Sequence, residues 1–106
     1  MKRQYTTDDQ TAKLIELGFE KPKGLADAEP SSGKWVRPAY SIGELIEMLP
    51  DIINILHHAI LKIETTGLKW HVKYEGDRGL EYLTYNTQLI NALYDMIVLL
   101  KEEGVI

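Results

Sequence analysis

The sequence predicts an α+β domain: two short N-terminal helices, a small antiparallel sheet of about three to four strands, and a long C-terminal helix packed on one sheet face. Three observations carry this reading. Thr7–Gln10 and Ser41–Glu44 are capping-box pairs, each opening a short apolar run. The stretch "LKWHVKYE" alternates, with Trp70, Val72 and Tyr74 on one face and Lys69, His71 and Lys73 on the other. Leu89, Ile90, Leu93, Met96, Ile97 and Leu100 recur at helical spacing near the C-terminus.

The first helix is expected near Asp8–Leu17, with Leu14, Ile15 and Leu17 apolar and Gly18 at the C-cap glycine position. Residues 19–34 hold Pro22, Gly24, Pro30 and Ser31-Ser32-Gly33, which break any period, so they read as a long mobile loop. "KWVRPAY" is a short extended piece that Pro38 confines to an edge or a turn. The second helix is placed at Ile42–Leu49 and stopped by Pro50.

From Asp51 the pattern divides. Ile52, Leu56, Ala59, Ile60 and Ile63 fit a helical stripe, while Ile53, Ile55, Ala59, Leu61 and Ile63 fit strand alternation. The clean strand after "TTG" needs a partner, which favours a hairpin. With Thr66-Gly67 as the loop centre, Ile63 faces Trp70, Leu61 faces Val72 and Ala59 faces Tyr74. Glu64 then meets Lys69, and Lys62 meets His71. Ile52–Ile55 is a candidate further strand, "EGDRG" a turn, and "LEYLTY" another strand, with Leu80, Tyr82 and Thr84 alternating against Glu81, Leu83 and Tyr85. Asn86 is expected to cap a helix over Thr87–Glu103, with Gly104 at C′ and Val105 meeting Leu100 in a Schellman motif.

Composition narrows the function classes. The chain has 106 residues, 44% hydrophobic and 26% charged, which suits a single domain over residues 1–106. A net charge of −4 disfavours broad nonspecific binding to nucleic acid or anionic membrane. With no cysteine there are no disulfides, thiolate zinc sites or cysteine nucleophiles. The start "MKRQYTTDDQ" has no apolar stretch after its basic residues, and the longest apolar run, Met96–Leu100, is far short of a membrane span. A soluble, cytoplasmic protein is expected.

No constellation points to catalysis or metal. On the hairpin register His57 turns toward the core while His58 and His71 lie on the other face, roughly 13 Å apart along the strand. Three such imidazoles do not converge on one ion. Asp8, Asp9, Glu16, Glu44, Glu47, Glu102 and Glu103 read as solvated or helix-terminal charges. Ser31, Ser32 and Ser41 lack a nucleophile elbow, and "SSGKW" lacks Walker spacing. The expectation is no enzyme, no cofactor and no metal.

Two surfaces remain. Lys62, Lys69 and Lys73 share the outer hairpin face, with Arg78 in the next turn, a candidate basic face for nucleic acid. The implied αβββα order is similar to double-stranded-RNA-binding domains. Their final helix, however, begins with lysines, whereas this one begins Asn86-Thr87-Gln88. On the last helix, Gln88, Asn91, Asp95 and Glu102 form a polar sector into which Leu99 intrudes, with Val98 at its edge. Either the N-terminal helix or long loop covers Leu99, or Val98 and Leu99 mark a contact surface for a protein partner or a second copy.

"YTTDDQTAKLIELGF", "PAYSIGELIEMLP", "WHVKY" and the closing "LINALYDMIVLLKEEGVI" together resemble a group of small uncharacterised single-domain proteins of gut-bacterial genomes and their phages or mobile elements. The resemblance runs from Thr7 to Ile106. It implies a compact intracellular accessory protein and no established activity, so no functional residues carry over.

Overall fold

A computed structural model of the chain describes residues 4–27, 36–54 and 58–106. The order is α1 (Asp8–Glu16), β1 (Leu25–Asp27), β2 (Val36–Pro38), α2 (Ile42–Met48), β3 (Ile52–Asn54), β4 (His58–Thr66), β5 (Lys69–Gly76), β6 (Gly79–Asn86) and α3 (Leu89–Glu102). Strands β3-β4-β5-β6 form one antiparallel meander. The short β1 and β2 pair separately, so part of the expected 19–34 loop is strand.

Both capping boxes form. The Thr7 hydroxyl accepts from the Gln10 amide while the Gln10 side chain accepts from the Thr7 amide. Ser41 and Glu44 make the same exchange. The Schellman ends also form: Phe19 N–H donates to the Leu14 carbonyl at the close of α1, and Val105 N–H to the Leu100 carbonyl at the close of α3. Gly18 and Gly104 supply the positive φ values of 101° and 76°.

Asn86 does not cap the last helix. It ends β6, and its side-chain oxygen accepts from the Gln88 amide at 2.9 Å, an Asx-type turn that delays the helix to Leu89. Gln88 occupies the N-cap without a side-chain capping bond.

The β4–β5 hairpin exists, but its register is two residues from the expected one. Thr66 pairs with Lys69, Thr65 with Trp70, Ile63 with Val72, Leu61 with Tyr74 and Ala59 with Gly76. The pairs Ile63–Trp70, Leu61–Val72, Ala59–Tyr74, Glu64–Lys69 and Lys62–His71 are therefore incorrect; Glu64 meets His71 and Lys62 meets Lys73. The turn chemistry decides this. Gly67 is the first of two loop residues, at φ 63°, and Leu68 has ordinary negative φ, the signature of a type II′ turn. A two-residue slip leaves every side chain on its expected face, so apolar matching alone had no power against it. At the other end of the hairpin only glycine fits: a Cβ on Gly76 would stand 1.8 Å from the His58 carbonyl oxygen.

The core lies between the sheet's inner face and the helices. Val72, Tyr74 and Ala59 from the sheet meet Ile90, Leu93, Met96, Ile97 and Leu100 of α3, with Leu45 of α2 and Leu14 of α1. The Tyr74 hydroxyl donates to the Pro50 carbonyl and the Thr84 hydroxyl to the Ala92 carbonyl, both at 2.7 Å, fastening β5 to the α2–β3 junction and β6 to α3. A buried chain of hydroxyls ties in α1. Thr11 donates to the Thr7 carbonyl, so Thr6 must donate to Thr11 (2.7 Å), and its oxygen accepts from the Tyr40 amide (3.0 Å). The Cα radius of gyration is 14.7 Å, where a compact chain of this length gives about 13 Å. The difference fits a meander whose β4–β5 tip stands free, with Leu68 90% exposed.

Candidate binding face

Alternation along the meander turns one face to α3 and the other to solvent. The outer face reads in rows across the sheet. Ile52, Ile60, Glu75 and Leu80 form one; Lys62, Lys73 and Leu83 the next; Glu64, His71 and Tyr85 the third.

Two cations of the candidate basic face, Lys62 and Lys73, lie in the middle of this surface and are matched by carboxylates. Lys62 Nζ lies 2.9 Å from Glu75, and Lys73 Nζ 3.3 Å from Glu64 and 3.8 Å from Glu75. The Lys62 hydrogen bond, with the added pull of Lys73, holds the Glu75 carboxyl below its usual range, and Glu75 in turn raises the Lys62 ammonium. Lys69 Nζ sits 4.9 Å above the Tyr85 ring, beside His71, whose ring centroid is 6.0 Å from that of Tyr85. Arg78 is exposed in the β5–β6 turn. The fold thus brings Lys62 and Lys73 together with two glutamates, and sets Lys69 and Arg78 toward opposite ends of β5.

His58 and His71 both lie on strands of the outer face, in rows set apart by the register above. His57 lies outside the described residues. Among the described residues no group of three or more histidine, aspartate or glutamate side chains could hold a metal ion.

Val98 and Leu99 are each half-buried against the core. They lie on different flanks of α3. Val98 is two turns on from Asn91, whose side-chain oxygen accepts from Gln10 Nε2 of α1 at 2.9 Å, so it shares the α1 side. Leu99 is two turns on from Ala92, whose carbonyl receives Thr84, so it shares the β6 side. Part of the polar sector is therefore an interhelix contact.

The larger apolar exposure is on the sheet. Leu80 is 52% exposed, Leu83 38% and Tyr85 56%, all on the open side of β6, with Ile52 (46%) and Ile60 (48%) at the β3–β4 end. None was among the candidate residues. The signal was present in "LEYLTY", where apolar residues occupy both alternating sets, a pattern for a strand with neither face simply polar.

One open groove of about 240 Å³ lies between the α1–β1 segment and α2, lined in part by Phe19, Lys23, Tyr40, Glu44 and Met48. Two of its polar side chains hold the chain itself. Glu44 accepts from the Lys23, Gly24 and Ser41 amides at 2.9–3.2 Å, and the Tyr40 hydroxyl donates to the Glu20 carbonyl. Among the described residues no helix is long and apolar enough to cross a membrane. No protein-family model, curated protein or solved structure matches this chain.

Proposed function

We propose that this protein is a non-enzymatic accessory or interaction module that binds a protein partner or itself through the open side of β6. The observation that carries the reading is the set Leu80, Leu83 and Tyr85, three large apolar side chains exposed on one strand at the sheet edge. Exposed apolar clusters of this kind mark contact sites. Glu44 and Tyr40, two of the groove's polar side chains, are already engaged by backbone groups. An accessory role also agrees with the resemblance to small proteins of gut-bacterial genomes and mobile elements.

The nucleic-acid reading has weaker support, since Lys62 and Lys73 are matched by Glu64 and Glu75. It predicts binding to duplex or single strands at low salt that falls steeply as salt rises. The interaction reading is tested by photo-crosslinking in cells that make the protein. A benzoylphenylalanine in place of Tyr85 should give adducts, and one in place of Glu47, exposed on α2, should not. Absence of adducts from position 85 would sink it. Leu99→Glu adds a check on the flank of α3 nearest β6, since a partner reaching over the edge would lose contact there.

A further inference from the structure

The two edges of the sheet are built differently. On one side β3 covers only the start of β4, and the remainder of β4 carries Lys62 and Glu64 on its outer face. A short edge strand and charged residues both discourage a further strand. On the other side β6 runs eight residues with no proline, lysine or arginine, and Glu81 is its one charged residue. Glu81 is also the extra residue of the bulge opposite Tyr74–Glu75, so regular strand continues from Tyr82 to Asn86. No proline or charged residue stands on this regular run from Tyr82 to Asn86.

Building on β6 as the binding strand, we propose that a second copy of this chain adds there. The two β6 strands pair antiparallel about a two-fold axis at Thr84 and join the sheets into one of eight strands. The occupant follows from the run itself. A two-fold perpendicular to the sheet keeps both inner faces on the same side, so each residue must meet one of its own face. Centring the regular run on Thr84 sets Leu83 against Tyr85 of the second copy, and Tyr85 against its Leu83. Four exposed apolar side chains then form one strip. Glu81 falls just beyond the paired run, on the side where the second copy's Lys69 reaches over its Tyr85, so opposite charges meet at both ends by symmetry. An axis at Tyr82 would instead bring Glu81 against Leu83 and run pairing through the bulge. Leu99 lies on the β6 flank of α3, so its two copies fall on the helix side of the joined sheet, related across the axis and on the face opposite the strip.

Five paired residues a side make a small interface, so a reversible, concentration-dependent dimer is expected. Sedimentation equilibrium of the full chain over a wide concentration range should show monomer and dimer in exchange. The double variant L83E/Y85E places like charges opposite each other twice and should raise the dissociation constant by about tenfold or more. L83E/Y85K places opposite charges there and should dimerise better than L83E/Y85E, with circular dichroism confirming that each is folded. A wild-type chain that stays monomeric at all concentrations overturns the proposal, whatever the variants do. So does an L83E/Y85K chain as weak as L83E/Y85E, which would move the axis off Thr84. A monomeric wild type that still crosslinks a different protein from position 85 sinks the second copy and leaves the binding-strand reading standing.

Discussion

The inner and outer faces of the same four strands obey one alternation rule and serve different ends. On the inner face Ile53, Ala59, Val72 and Tyr74 are buried, and the hydroxyls of Tyr74 and Thr84 each find a backbone carbonyl. On the outer face the centre is a lattice of lysines and glutamates, while β6 leaves Leu83 and Tyr85 in water. Burial on the first face drives folding. Exposed apolar groups on the second add less to folding, and the proposed interaction role gives them a use in contact with a partner. Changes on the inner side should therefore move stability, and changes on the outer side should move association.

The largest effect is expected in the core. Leu93 is fully buried on α3, and Leu93→Ala should cost roughly 2–5 kcal/mol of unfolding free energy through lost burial and a residual cavity. Urea denaturation measures it. A loss below about 1 kcal/mol would mean the α3–sheet contact is loose, and the contrast between the faces would fail.

Next is the hydroxyl chain. Thr6→Val keeps shape but removes the acceptor for the Tyr40 amide and the donor to Thr11. An unsatisfied buried donor costs about 1–3 kcal/mol, and the same denaturation experiment reads it. A neutral result would show that water reaches the Tyr40 amide, and that the N-terminal segment is an appendage rather than part of the inner layer.

The sequence disclosed the parts governed by local chemistry. Thr7–Gln10, Ser41–Glu44, Gly104 and Val105 are self-contained signals, and each forms as expected because the interacting groups lie within five residues of one another. The β4–β5 register was legible only as to face. Distinguishing Ile63–Val72 from Ile63–Trp70 required knowing that Gly67 takes the first place of a type II′ turn. The candidate site was less legible. Cations were visible as letters, but the diagonals that join Lys62 to Glu75 and Lys73 to Glu64 depend on that same register. Leu99 stood out on a helical wheel because the wheel omits neighbours; Leu83 and Tyr85 did not, because strand residues of either set look alike until a helix chooses the inner face.

Leu83→Ser should change stability by less than about 0.5 kcal/mol, as surface substitutions usually do. Its effect belongs in the sedimentation measurement, where association should weaken. If thermal melting instead fell by as much as for Leu93→Ala, the outer strip would be part of the folding core and the two faces would not be functionally distinct.

The smallest effect is expected from the charged centre, and its pH dependence identifies it. Glu75 has a lowered carboxyl in the folded protein, mainly through the Lys62 hydrogen bond and then through Lys73. A lowered folded value means the contribution is present above the ordinary carboxyl range, near 4.5, and is lost as pH falls through the folded value. Lys62 has the opposite sign. Its value is raised, so its share persists through neutral pH and is lost only as pH rises past the ordinary lysine range, near 10.5. Glu75→Gln should therefore melt slightly below wild type between these limits, and the difference should vanish in acid. Both side chains are solvated and the pair is screened, so high salt should erase the difference at neutral pH as well. A difference that survives high salt and acid would mean that Glu75 acts through packing, making the row Ile60–Glu75–Leu80 a structural element of the outer face.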